Sequence, residues 1–158
     1  MSLASTRRLL KEFRAAQKSS SDSEEELVRI RPVSENDLLH WVGYIRGSKG
    51  TLYEGGRWNI DIQVPKTYPL HPPEIKFITP ICHPNVNWKD GLVCLDILKG
   101  QWTAAWTLQS ACMAILVLLS DPEPNSPLNV DIANLVRSGD EEAAASLVHY
   151  FTAKYAST

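Results

Sequence analysis

The chain predicts an α+β fold in which helices pack on an antiparallel sheet, and three observations carry that prediction. A helical pattern comes first, a run of strand patterns follows, and helical patterns close the chain. Between Arg57 and Val64, the residues Trp58, Ile60, Ile62 and Val64 alternate with Asn59, Asp61 and Gln63, the period of a strand with one buried and one wetter face. The 158 residues suit one domain, spanning 1–158, that buries roughly two thirds of its unfolded surface.

From Ser5, Leu9, Leu10, Phe13 and Ala16 recur at helical spacing, with Arg7, Lys11 and Arg14 as a basic stripe on another face. On charge pattern alone that stripe is a solvated face. Ser19 to Glu26 is polar and acidic without period and reads as a loop, a solvated spacer between helix and sheet. Strands are expected at about 27–32, 39–46 and 57–64. Gly47-Ser48-Lys49-Gly50-Thr51 lacks the spacing of a phosphate-binding loop and reads as a hairpin turn, so no nucleotide site is implied.

Three prolines fall between Tyr68 and Pro73, which excludes helix and central strand and leaves a stiff surface loop anchored by Tyr68. Glu74 to Ile78 supplies a fourth strand. After a second loop, Gln101 to Trp106, Thr107 is the N-cap of a helix whose Leu108, Ala111, Cys112, Ile115 and Leu119 share one face. This is the central buried helix, ended by Asp121-Pro122, with Pro124 and Pro127 holding the next stretch extended. A short helix through Val130, Ile132, Ala133, Leu135 and Val136 closes at Gly139, and Asp140 caps a last one carrying Ala144, Leu147, Val148, Phe151 and Tyr155.

A formal net charge of −2 gives no case for nucleic acid or an acidic membrane as principal partner. The three cysteines, Cys82, Cys94 and Cys112, form no C-x-x-C pair, and an odd count without a secretory signal argues for a reducing compartment, cytosol or nucleus. The longest apolar run, Met113 to Leu119, is far shorter than a membrane span, so no direct membrane insertion is expected. Cys82, His83 and Cys94 do not have structural-zinc spacing, and no metal is expected. Cys82 and Cys112 read as small core residues.

Cys94 is different, because neither a core nor a disulfide obviously needs it. Pro84 forbids helix around His83, and Asp90-Gly91 is a turn dipeptide, so the peptide from Asn85 to Cys94 folds back as an irregular loop that can bring an amide to a thiol. An asparagine amide offers two uncharged N–H donors, suited to the oxyanion formed when a thioester carbonyl is attacked. The alternative for Asn85 is bonding to its own loop backbone. His83 reads as a buried side chain bracing the loop rather than as a base.

His83-Pro84-Asn85 followed by Gly91-Leu92-Val93-Cys94-Leu95-Asp96-Ile97-Leu98 resembles the active site of the ubiquitin-conjugating (E2) family. Tyr68-Pro69-Leu70-His71-Pro72-Pro73, Trp102 and the run Asp121 to Asn129 are similar to that family's other markers, in the same order, from about Thr6 to Tyr155. Asn85 to Cys94 is one residue longer than the family's usual spacing. The resemblance implies the UBC fold, a four-stranded antiparallel sheet with an N-terminal helix, a central helix and C-terminal helices. It implies that Cys94 takes ubiquitin as a thioester from the E1 activating enzyme and passes it to a substrate amine, or to a cysteine, with a RING-type E3 ligase. No bound cofactor is expected, ATP being used upstream by E1. Ser126 stands where the family has serine or aspartate near the incoming amine, and two readings stand for it: orienting or desolvating that amine, or a turn role.

By the same resemblance Arg8, Lys11, Leu70, Ala104 and Ala105 fall at positions that dock E1 or the ligase, Ala104 where many ligase-binding members carry proline. The segment 121–135 and the ending Ser146-Leu147-Val148-His149-Tyr150-Phe151 are most similar to the peroxisomal branch, peroxin-4. That branch implies a membrane-anchored partner, peroxin-22, an import receptor as substrate, and a cytoplasmic protein recruited to the cytosolic face of peroxisomes. Two other readings remain: a catalytically silent module with this fold, disfavoured because the cysteine is kept, and an E2 for another ubiquitin-like modifier. A papain-like hydrolase is disfavoured because its local signature and downstream His-Asn pattern are missing.

Overall fold

The computed structural model describes residues 1–19, 26–93 and 100–157. Helix α1 (Leu3–Lys18) leads into a four-stranded sheet of β1 (Val28–Ser34), β2 (Asp37–Arg46), β3 (Arg57–Gln63) and β4 (Glu74–Phe77), and then into α2 (Leu108–Ser120), α3 (Val130–Arg137) and α4 (Glu141–Phe151). The strands lie in sequence order, each antiparallel to the next, as the alternation predicts. Period-two burial sends Trp41, Ile45, Trp58, Ile60, Ile62 and Ile75 to one face, where they join buried residues of α1 and α2 in one core, the two helices packing mainly on β1 and β2. Phe13 of α1 meets Trp41 edge to face with ring centroids 6.3 Å apart.

The ends of the helices follow from their caps. Thr107 and Ser110 form a reciprocal capping box at the start of α2. Past α3, the N–H groups of Gly139 and Asp140 donate to the carbonyls of Val136 and Leu135, a Schellman closure that needs the positive φ of 75° at Gly139. Asp140 then accepts from the Ala143 N–H and starts α4, which runs on into a π-helical turn, Thr152–Ala156.

Two expectations change in detail. β1 continues through Pro32 to Ser34, with a register shift between those residues, because β1 is an edge strand and proline's missing N–H faces no partner there. The residues 47–51 are only the start of a longer β2–β3 connection, in which the Gly47 N–H donates to the Gly56 carbonyl at 3.0 Å. Tyr68 is fully buried, as expected, and the Tyr68–Pro69 bond is cis. Among the described residues no helix is long and apolar enough to cross a membrane. The expected acidic loop lies, for residues 20–25, outside the described residues.

Candidate active site

The loop that follows β4 carries His83, Pro84 and Asn85 over the C-terminal end of α2. The last carbonyls of a helix have no intrahelical partner, and the Nε2–H of His83 donates to one of them, Leu118, at 2.8 Å. Its Nδ1 accepts from the backbone N–H of Asn85 at 3.0 Å. These two bonds fix the neutral tautomer with its proton on Nε2. Burial pushes the imidazole pKa down to about 4, only partly offset by the Leu118 carbonyl. A ring so placed braces the loop, and both of its nitrogens are engaged. Tyr53 backs it: its hydroxyl donates to the Cys82 carbonyl at 2.6 Å, and its ring lies 5.7 Å from that of His83.

Pro84 and Asn85 grip the stretch 121–129. The Pro84 carbonyl accepts from the N–H groups of Leu128, at 2.9 Å, and Asn129, at 3.0 Å. Asn129 in turn caps α3. The Asn85 side chain is fully buried. Its Nδ2 donates to the carbonyls of Glu123, at 2.7 Å, and Ser126, at 3.1 Å, while its Oδ1 accepts from the Glu123 N–H at 2.9 Å. The proline-rich stretch, which cannot satisfy itself as helix or sheet, is thereby held against the loop. Ser126 is exposed on the outer side of this turn.

Beyond Asn85 the chain forms a narrow flap. Val86 pairs with Val93, the Asn87 N–H donates to the Leu92 carbonyl at 3.0 Å, and the Gly91 N–H returns to the Asn87 carbonyl at 3.0 Å. Gly91 has φ 73° and lies so close to the Phe77 carbonyl that a Cβ would overlap it, so only glycine fits. Cys94, with residues 95–99, lies outside the described residues. Cys82 and Cys112 are free and buried, their thiols pushed up to about 12 by burial. Among the described residues no group of His, Cys, Asp and Glu could hold a metal ion.

The residues expected to dock partners share one region. Leu70 is 73% exposed at the tip of the Tyr68–Pro73 loop, and Lys11, Ala104 and Ala105 are exposed. Arg8 is not a solvated charge. Its guanidinium donates to the Ala104 carbonyl at 2.6 Å, to the Trp106 carbonyl and to Glu12 Oε2 at 3.2 Å. The Trp102 indole N–H donates to the Pro69 carbonyl at 2.8 Å, which ties the two loops together.

Sequence reasoning passed over Glu12, which lies beneath this surface. Its carboxylate accepts from the Tyr68 hydroxyl at 2.7 Å and from the Leu108 N–H, at the start of α2, also at 2.7 Å. The only visible signal was its i, i+4 spacing from Arg8.

Residues 8–151 match the family model described as Ubiquitin-conjugating enzyme. Over 153 residues the chain is 47% identical to Ubiquitin-conjugating enzyme E2 16 of Schizosaccharomyces pombe, covering 97% of this chain and 94% of that protein. It is 47% identical over 148 residues to Ubiquitin-conjugating enzyme E2 pex4 of Dictyostelium discoideum, covering 94% of this chain and 97% of that one. Among solved structures it is similar, with a TM-score of 0.89 and 39% identity, to the H. polymorpha ubiquitin conjugating enzyme Pex4p, crystallised in complex with the soluble domain of Pex22p. That likeness covers 98% of this chain and 99% of the other.

Proposed function

The chain belongs to the ubiquitin-conjugating enzyme (E2) family, and from that premise we propose that it carries ubiquitin on Cys94 in the peroxisomal branch of the pathway. The Cys94 sulfur attacks the thioester carbonyl that joins ubiquitin to the activating enzyme. A new carbon–sulfur bond forms, and the activating enzyme's thiol leaves. In the second half-reaction an acceptor amine attacks the same carbonyl, the amide forms, and Cys94 departs as a thiol. Each step starts from an activated thioester, so this chain needs no bound cofactor, ATP being consumed when ubiquitin is first activated.

Asn85 serves this chemistry by holding the stretch 121–129 beside the loop and, when one of its N–H groups is released, by donating to the tetrahedral oxyanion. Ser126, exposed on that stretch, orients or desolvates the incoming amine. Lys11, Leu70, Ala104 and Ala105 offer the surface for E1 and a RING ligase, with Arg8 fixing its shape. The acceptor is the peroxisomal import receptor, and a membrane-anchored peroxin-22 brings this chain to the cytosolic face of the organelle.

The observation that carries the branch is the likeness to Pex4p, crystallised with the soluble domain of Pex22p, along nearly the whole of both chains. Activating enzyme, ATP, ubiquitin and this protein, resolved without reductant, are expected to give a thiol-sensitive adduct that Cys94→Ser converts to a stable ester. Absence of any adduct on the wild-type protein rejects the activity. The soluble domain of peroxin-22 is expected to bind in titration calorimetry, and failure to bind at micromolar concentrations rejects the branch.

A further inference from the structure

The turn of the flap is exposed, yet its one aromatic side chain does not point away. Trp88, 36% exposed, sets its ring 4.7 Å from that of Phe151, the last residue of α4, at an interplanar angle of 48°. Phe151 is held from both sides, by Tyr150 edge-on at 5.5 Å and by Tyr155 stacked at 5.7 Å. The rest of the flap is fastened elsewhere. Its stem hangs on β4 through the Phe77 N–H to the Gly91 carbonyl, at 2.8 Å, and the Val93 N–H to the Ile75 carbonyl, at 3.2 Å. Among the described residues the side-chain bonds of its turn are local, Asn87 Oδ1 accepting from Lys89 N–H and Asp90 Oδ1 from Leu92 N–H. Those bonds shape the turn without fixing where it sits, and the aromatic contact supplies the missing anchor.

We propose that Trp88 and Phe151 form a clasp that positions the turn of the flap, so that the C-terminal end of α4 sets the rate of ubiquitin transfer. The inference rests on Cys94 as the acceptor thiol, the residue covalently next to Val93 at the end of the flap. Transfer depends on approach of amine, carbonyl and sulfur within a fraction of an ångström, and a loosely held flap spends less time in that geometry. Trp88 and Phe151 are positioning residues. They touch no reacting atom, and their effect is on the rate of transfer.

The test is single-turnover discharge of the charged full-length protein to free lysine, measured well below the unfolding temperature. Trp88→Ala and Phe151→Ala are each expected to slow discharge about 3- to 10-fold, the range of an aromatic pair's worth converted to rate. The loss falls on the maximal rate and not on the lysine concentration at half-maximum. The double variant is expected to be no slower than either single one, and Trp88→Phe to restore most of the rate.

Additive losses, losses that fall on the half-maximal lysine concentration, or unchanged rates overturn the clasp. Should Phe151→Ala lower the urea midpoint, Phe151→Leu, which keeps the apolar volume but not the ring, replaces it and is expected to be slow at wild-type stability; a wild-type rate in that variant also overturns the clasp. If the wild-type protein takes no ubiquitin on Cys94, the clasp and the activity it rests on fall together. If it charges normally and all variants discharge alike, only the clasp falls.

Discussion

Asn85 and Glu123 exchange two hydrogen bonds, side chain to backbone, across 38 residues of sequence: Nδ2 to the Glu123 carbonyl at 2.7 Å, and the Glu123 N–H to Oδ1 at 2.9 Å. The second N–H of the amide is taken by Ser126 at 3.1 Å. Every polar site of a fully buried amide is therefore directed at one proline-rich turn. An oxyanion can be served only by giving up one of these bonds, and the longer one, to Ser126, is the one to release.

Asn85→Ala is expected to lose both functions, and they separate in measurement. Stability to urea falls by about 1–3 kcal/mol, since the Glu123 N–H and two carbonyls lose their partner in a partly buried setting. Charging by E1 persists, while discharge to lysine drops on the order of 10²–10³-fold, the scale of one lost oxyanion donor. A variant that is less stable yet discharges at the wild-type rate would reduce Asn85 to a brace.

His83 makes the fold sensitive to acid. Its folded pKa, about 4, lies below the ordinary imidazole value of 6.5, so between those values the unfolded chain binds a proton that the folded one refuses. Stability from this group is whole above about pH 6.5 and is lost as pH falls toward 4, by roughly 3 kcal/mol in all. His83→Gln keeps a donor for Leu118 but cannot titrate. The stability gap between wild type and His83→Gln is therefore expected to narrow from pH 7 to pH 4 in urea titrations, and a gap independent of pH would contradict the assignment.

Local signals were legible and distant ones were not. Thr107, Gly139 and Asp140 announce helix ends because a cap acts within a few residues of itself. The alternation at 57–64 likewise fixes which face of β3 is buried. The chemistry of Asn85 is legible in its amide, but its partners at 123 and 126 come together only in the folded chain. Arg8 stands in the sequence as a charge on the first helix, and nothing local states that its guanidinium reaches carbonyls 96 and 98 residues away. Trp88 and Phe151 carry no pattern that links them, since nothing in a turn residue and a helix residue states that a flap folds back between them.

Glu12 is expected to be worth more than an exposed ion pair. Its side chain is only 9% exposed and serves Arg8, Tyr68 and the first N–H of α2 together. Burial first, and then the Glu12 hydrogen bond and charge, push the Tyr68 hydroxyl well above its ordinary pKa, so it stays a donor. Glu12→Gln keeps the volume but loses the charge and replaces one of the two accepting oxygens with an NH2 that can only donate, and should cost about 1–3 kcal/mol in urea. Tyr68→Phe should then cost less in the Glu12→Gln background than alone. Equal costs would show that the two do not communicate.

Ala104→Pro should stabilise the loop between Gln101 and Trp106 rather than break it. The Trp106 N–H donates to the Thr103 carbonyl at 3.1 Å, which closes a four-residue turn with Ala104 at its second position. No residue other than glycine has positive φ among those described, which excludes the type II and primed turns and leaves type I. Proline is favoured at that position: its fixed φ near −65° is the one required, and the turn bond does not use the N–H it lacks. The Ala104 carbonyl that accepts from Arg8 is retained. The variant is expected to gain about 0.4–1 kcal/mol in urea by restricting the unfolded chain. A lowered midpoint would mean that Thr103, immediately before the proline, cannot leave its present backbone conformation, and that the turn is not of this type.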